Sequence, residues 1–366
     1  MILTPEAAAA LARISRVSGV KAEPQTLLPA EVILELSGEA VRSRLCTFTD
    51  ASGAEHCLRP DLTTPIAQMV AVGELPVARY HGAGPVYRLP PRGSDDPVEH
   101  LQIGFEWFGN SGSPSEDAEA LAVALEAAQA GGVNGATVRF GDVAIYHALL
   151  GALTLSPQWR DRLRRAFSRR KGPRELLDGA NRQTAMADAT RRFGVLGADE
   201  ATRAVEAELV TIGAEPVART AADIAQRLRE KATDPTPEVG VSMVLAGYLD
   251  ISMPASESVA ALEDFARETG VDLGEALEGY RERMALIAKL RPPFWTDAVF
   301  SAEAGRRFEY YDGFVFELAQ PNEADRPIVS GGRYDGLITR LSAGAVIASG
   351  IGAAIRADRL GRRDAR

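Results

Sequence analysis

Gln102 and Glu106 stand on one face of a strand-like stretch, Leu101 to Phe108, with Gly104 between them. Side chains alternate along a strand, so Leu101, Ile103, Phe105 and Trp107 make an apolar face and Gln102, Gly104, Glu106 and Phe108 the other. A glycine between two polar side chains predicts floor space for a ligand. In the last third, Tyr311, Gly313, Val315 and Glu317 share a face of a second expected strand, and Gly331-Gly332 gives a turn ahead of Tyr334. Gln102 and Glu106 meet part of the demand of a ligand that carries an ammonium, a carboxylate and a ring with two nitrogens. A carboxylate or amide takes the ammonium, a guanidinium the carboxylate, and oriented oxygens the ring. Each feature alone fits a solvated edge or a core aromatic; together they argue for a pocket.

These groups belong to a chain of 366 residues, long enough for two compact units or one large core with an insertion. Apolar residues make up 46% and charged residues 25%, ordinary for a soluble globular protein. Lys and Arg number 41 against 50 Asp and Glu, a net charge of -9 that disfavours a polyanion as main partner. No apolar run reaches the roughly 18 residues of a membrane helix. The Ala-rich start, with Glu6 early and no basic opening, does not read as a secretory signal. A cytoplasmic location is expected. Cys46 and Cys57 flank a turn at Asp50-Ala51-Ser52-Gly53 and are expected as buried thiols. No Cys/His spacing suggests zinc, and His56, His81, His100 and His147 read as scattered packing or surface side chains.

The elements that must position the pocket follow from local signals. Thr4-Pro5 caps an N-terminal helix. Strands are expected near Leu45–Phe48 and His56–Leu58, and a helix over Ile66–Val72. Two short strands, Val77–Tyr80 and Val86–Arg88, are expected to break at Gly82 and Gly84. Ser113-Pro114-Ser115-Glu116 is a capping box opening an Ala-rich helix to about Ala130, and Val138–Phe140 is a further strand. From Ser156-Pro157 to about Leu290 the pattern is helical, save a candidate strand near Val239–Val244. The expected fold class is α/β (α+β), with a core over 1–155 and 292–366 interrupted by a helical insertion over 156–291. Within the insertion lies a basic run of Arg160, Arg162, Arg164, Arg165, Arg169, Arg170, Lys171 and Arg174. It could grip RNA or form a solvated face; only Trp159 and Phe167 offer aromatics beside it, which favours the face.

The residues outside the insertion resemble a known family. Glu309-Tyr310-Tyr311-Asp312-Gly313-Phe314-Val315-Phe316-Glu317 and Ser330-Gly331-Gly332-Arg333-Tyr334-Asp335-Gly336-Leu337 are similar to the histidine-recognition elements of histidyl-tRNA synthetase. The resemblance covers roughly 1–150 and 292–366 and extends to that family's paralogue, the regulatory subunit of ATP phosphoribosyltransferase. It implies a class II synthetase core: a mixed, mostly antiparallel sheet flanked by helices. Leu58-Arg59-Pro60-Asp61-Leu62-Thr63 resembles the family's Leu-Arg-Pro-Glu-Gly-Thr, so Asp61 and Thr63 would hold the histidine ammonium. Tyr87-Arg88 resembles the start of motif 2 and gives Arg88 the carboxylate or α-phosphate. Gln102 and Glu106 fall where the family's ammonium and imidazole ligands lie. Arg306 stands where its histidine-specific arginine lies, with Arg307 as a competitor, and Tyr311 and Tyr334 match its two pocket tyrosines.

Departures from the family pattern imply a changed function. Arg88-Leu89-Pro90 replaces the Arg-x-Glu of motif 2, and proline has no side-chain polar atom for an adenine. Motif 3 should run into Glu-Arg. Here Gly350-Ile351-Gly352-Ala353-Ala354-Ile355 runs into Arg356-Ala357, so Arg356 or Arg359 would have to substitute for the phosphate arginine. The 31 residues after Asp335 leave no room for an anticodon-binding domain. The implied function is a non-catalytic regulatory subunit of ATP phosphoribosyltransferase. It would switch on a short catalytic subunit and relay feedback inhibition by L-histidine in the first step of histidine biosynthesis. The implied assembly is a homodimer within a hetero-oligomer, a hetero-octamer with that catalytic subunit. No cofactor, metal site, membrane or tRNA partner is implied. A truncated synthetase-like enzyme that activates histidine with ATP, and a pseudo-synthetase that senses amino-acid shortage, are the alternatives.

Overall fold

Alternating and β-branched stretches build the frame of the protein. The structure is a computed structural model describing residues 3–37, 39–109, 112–167, 172–181, 192–213, 220–234, 237–305 and 310–361. Its strands in chain order are β1 (Val20–Lys21), β2 (Leu27–Pro29), β3 (Thr47–Thr49), β4 (Glu55–Leu58), β5 (Arg79–Tyr87) and β6 (Glu99–Gly109). They continue with β7 (Thr137–Asp142), β8 (Ser252–Pro254), β9 (Val299–Ser301), β10 (Phe314–Ala319), β11 (Val329–Arg333) and β12 (Ser349–Arg356). One sheet has the order β1-β5-β6-β12-β11-β10-β7-β9-β8, and a small one the order β2-β4-β3. In the large sheet only β1 with β5 and β7 with β9 run parallel. It is mixed, mostly antiparallel and flanked by helices, as the sequence leads one to expect. Its centre joins distant segments: β6 pairs with β12, placing Glu106 opposite Gly352.

The local signals explain most of the elements. Thr4 Oγ1 accepts the Ala7 N–H at 3.2 Å and starts the helix Pro5–Ser15. Ser113 Oγ likewise accepts the Glu116 N–H at 3.4 Å and starts the helix Pro114–Ala130. The other half of that expected box does not form, because Glu116 faces the Arg333 guanidinium at 3.5 Å. Ala118, Ala120, Ala124, Ala127 and Ala128 of this helix are buried, and the helix packs against the helices Pro5–Ser15 and Gly274–Leu290 as well as β11 and β12. Cys57 is buried and Cys46 partly so, both as free thiols.

Three expectations are corrected. The stretch Arg79–Tyr87 is one continuous strand, not two broken at glycine. Its glycines serve close approach instead: a side chain at Gly84 would strike the Arg59 guanidinium, and one at Gly82 would crowd the Ala22 carbonyl oxygen at 3.1 Å. Val239–Leu249 is a helix, not a strand, with Leu245, Tyr248 and Leu249 buried at helical spacing. Tyr311 precedes β10 instead of lying in it.

The chain divides into two compact units. One comprises Met1–Leu149 with Gly247–Arg366 and the other Leu150–Ala246. Residues 247–291, expected within the insertion, thus belong to the first unit. A buried ionic cluster there shows why. From the helix Gly274–Leu290, Arg283 donates to Asp117 Oδ2 at 2.6 Å and also to Asp142. Arg333 donates to the other oxygen of Asp117, also at 2.6 Å. Two guanidiniums and two carboxylates therefore fasten that helix, the helix Pro114–Ala130 and strands β7 and β11. In the second unit, Arg162 pairs with Asp234 and lies 3.9 Å over the Trp159 ring. Arg160 donates to the Leu150 carbonyl at 3.0 Å and Arg174 to that of Ala246 at 3.0 Å. Three of the eight basic residues of the expected run, Arg160, Arg162 and Arg174, therefore bond internally, while Arg169, Arg170 and Lys171 lie outside the described residues.

Candidate functional site

On β6, His100, Gln102, Gly104 and Glu106 point the same way, and β12 faces them with the small residues Gly350, Gly352 and Ala354. The register decides what fits. A side chain at Gly352 would collide with the Glu106 carboxylate, and one at Gly350 would run into the Tyr334 ring. These glycines make room for residues of the pocket. Gly104 does not provide the ligand floor that the sequence suggests, because the Ala353 carbonyl oxygen comes within 2.6 Å of where its side chain would be. Gly313 is likewise covered by the stem of Arg333.

Asp61, Thr63, Arg88, Gln102, Tyr311 and Tyr334 line one cavity of about 360 Å³. Glu106 lies against its inner end: Thr63 Oγ1 donates to Glu106 Oε1 at 2.5 Å, and the Tyr334 hydroxyl donates to Glu106 Oε2. Arg306 lies outside the described residues. Asp61 uses Oδ1 to accept the Thr64 N–H at 2.8 Å, holding the first turn of the helix Thr63–Ala71, and Oδ2 faces Arg88 at 3.5 Å. Tyr310, Tyr311 and Tyr334 form an aromatic wall with ring centroids 4.9 to 6.2 Å apart.

The electrostatics of the cavity's inner end are set by burial. Glu106 is 2% exposed, and among the described residues its hydrogen-bond partners are hydroxyls, not cations. Burial pushes its carboxyl up to about 8, and Asp61 adds to this while the two hydroxyl bonds oppose it. Among the described residues, Gln102 Nε2 and His100 Nδ1 are buried without a hydrogen-bond partner. Burial pulls the His100 imidazole down to about 4, with Arg356 and Arg88 adding to the effect. Buried polar atoms are normally satisfied, so these orphans call for a ligand that accepts from an amide and bonds an imidazole nitrogen. The sequence alone reads His100 as a packing or surface side chain. Its signal was there, two positions before Gln102 on the same strand face.

The outer end of the cavity carries Arg44, Pro90, Pro91, Asp96, Arg326, Arg356 and Arg359. Neither arginine that would have to rescue motif 3 is free. Arg356 is held by both oxygens of Asp358, at 2.9 and 2.8 Å. Arg359 donates to the Pro327 carbonyl at 2.7 Å and to Asp96 at 3.0 and 3.1 Å. Ala357, in the place of the missing arginine, is buried.

The model of the histidyl-tRNA synthetase family matches residues 23–248 and 253–360. The chain belongs to that family. Within it, an ATP phosphoribosyltransferase regulatory subunit from Brucella anthropi is 31% identical over 343 residues, 91% of this chain and 90% of its own length. The regulatory subunit of Brucella canis is 31% identical over 348 residues, with the same coverage. A solved ATP phosphoribosyltransferase regulatory subunit/histidyl-tRNA synthetase from Bacillus halodurans C shares the fold. Its TM-score is 0.63 at 22% identity, covering 95% of this chain and 76% of that one. Histidyl-tRNA synthetase from Nostoc sp. PCC 7120 matches at a TM-score of 0.60 and 14% identity, covering 96% and 68%. The core is therefore class II synthetase-like, and this histidyl-tRNA synthetase family member has regulatory subunits among its curated relatives.

Proposed function

We propose that the chain is a non-catalytic regulatory subunit of ATP phosphoribosyltransferase that binds L-histidine at the inner end of the cavity. In this reading it joins a short catalytic subunit as a homodimer within a hetero-oligomer, raises that subunit's activity and transmits inhibition by histidine. One observation carries the proposal: at the inner, amino-acid end of the cavity Gln102 Nε2 and His100 Nδ1 are buried without a partner among the described residues, while Arg356 and Arg359 at its outer end are paired with Asp358 and Asp96, leaving only single Nε atoms of Arg326 and Arg359 unbonded there. The 31% identity along 91% of the chain to proteins named as regulatory subunits points the same way. Asp61, Thr63, Gln102, Glu106, Tyr311 and Tyr334 would receive the ammonium and the ring, and Arg88 the carboxylate. To inhibit, histidine must bind one state of the complex better than another, and a difference of about 1–3 kcal/mol suffices.

The deciding experiment is histidine-dependent ATP–pyrophosphate exchange by the purified chain, followed by addition of the short catalytic subunit. No exchange, with increased transferase activity that histidine suppresses, is expected. Robust exchange would instead make the chain a histidine-activating enzyme.

A further inference from the structure

The loop between β5 and β6 and the loop between β10 and β11 both line the outer end of the cavity, and one carboxylate ties them together. Arg326 Nη2 donates to Asp96 Oδ1 at 2.7 Å, while Arg359 Nη2 donates to both oxygens, at 3.0 and 3.1 Å. Asp96 is presented by a built turn: its N–H is bonded to Ser94 Oγ at 3.2 Å, and the Ser94 N–H to the Pro91 carbonyl at 3.0 Å. The base of the loop is stitched by the Arg88 N–H to the Val98 carbonyl at 2.8 Å and the Leu89 N–H to that of Arg44 at 2.9 Å. Arg359 is only 6% exposed, so it reaches few acceptors other than those it has.

Resting on the reading that histidine fills the inner end, we propose that Asp96 is a specificity residue: it occupies, from within the chain, the place a ligand's phosphate would take between Arg326 and Arg359. A carboxylate on two guanidiniums makes the charge-assisted bonds that a phosphate oxygen would make. Because it is tethered, it competes at a high effective concentration against any dissolved anion. Arg326 and Arg359 are matched in charge by Asp96 and the neighbouring Asp325, while Arg44 at the same end donates to the Leu89 carbonyl. Neighbouring Arg356 is neutralised in the same manner by Asp358. Asp96 thereby keeps polyphosphates and nucleoside triphosphates out of a cavity that still admits an amino acid.

The test measures tripolyphosphate, ATP and histidine binding to the full chain by calorimetry at fixed salt. The wild type should bind histidine and show no measurable tripolyphosphate binding at millimolar concentrations. Asp96→Asn should gain at least tenfold in tripolyphosphate affinity, fall back with added salt, and bind histidine within about twofold of wild type. Asp96→Glu should behave as wild type, and adding Arg359→Gln to Asp96→Asn should abolish the gain. If Asp96→Asn does not fold, Asp96→Ser carries the same comparison. A folded Asp96→Asn no better than wild type, or a wild type that already binds tripolyphosphate as tightly, overturns the proposal. Failure of the wild type to bind histidine would instead overturn the histidine reading, with the polyphosphate comparison still decisive for Asp96.

Discussion

At the scale of single residues, burying a carboxylate beside hydroxyls alone favours its protonated form, and Glu106 is in that position. Its carboxyl is raised from its ordinary 4.5 to about 8, so the folded chain holds a proton there that the unfolded chain releases. Stability from this group is complete below about 4.5 and is lost as pH rises toward about 8. Asp312, raised to about 6 chiefly by burial, adds the same sign over the lower part of that range. His100 acts oppositely, costing stability as pH falls from 6.5 toward about 4. Melting temperature of the free chain should therefore decline across neutral pH, and Glu106→Gln should flatten that decline. The same variant should weaken histidine binding at least tenfold in calorimetry and remove histidine inhibition of the complex. Unchanged inhibition in a folded Glu106→Gln protein would remove this pocket from the regulatory account.

The elements earn their roles through register. Gly352→Ala on β12 puts a methyl group into the Glu106 carboxylate and within 2.6 Å of the Phe105 carbonyl oxygen. Overpacking of this kind costs about 1–3 kcal/mol, and urea unfolding should show that loss together with lost histidine binding. Arg283→Met leaves Asp117 and Asp142 short of a cation; a cost of about 3–5 kcal/mol is expected in the same measurement. The polar face of β6, the Ser113 cap and the losses at Pro90 and Ala357 are legible in sequence because each depends on residues close together in the chain. The continuity of β5, the space taken over Gly104 and the ionic cluster on Arg333 are not, because the partner strand or helix supplies the reason. Glycine marks a break and a close approach with the same letter, and only the neighbouring backbone tells them apart. The expected turn at Gly331-Gly332 illustrates this, since both residues lie inside β11, with Gly332 making room for Tyr311.

At the scale of the molecule, the net charge is -9, and Arg160, Arg162 and Arg174 of the basic run bond to acceptors within the chain. Filter binding of tRNA at physiological salt should give no retention, and salt-sensitive retention would revive the RNA reading of the basic run. No described helix is long and apolar enough to cross a membrane. The pairing of β6 with β12 has a consequence for how the molecule comes into being. The glycine opposite Glu106, Gly352, lies 246 positions further along the chain. A ribosome adds about 5–20 residues per second, so β6 waits on the order of 12 to 50 s for the strand that completes its wall. During that interval the cavity does not exist, and nothing that fills it can stabilise the nascent chain. A molecule held in this cavity could therefore act only on the finished protein.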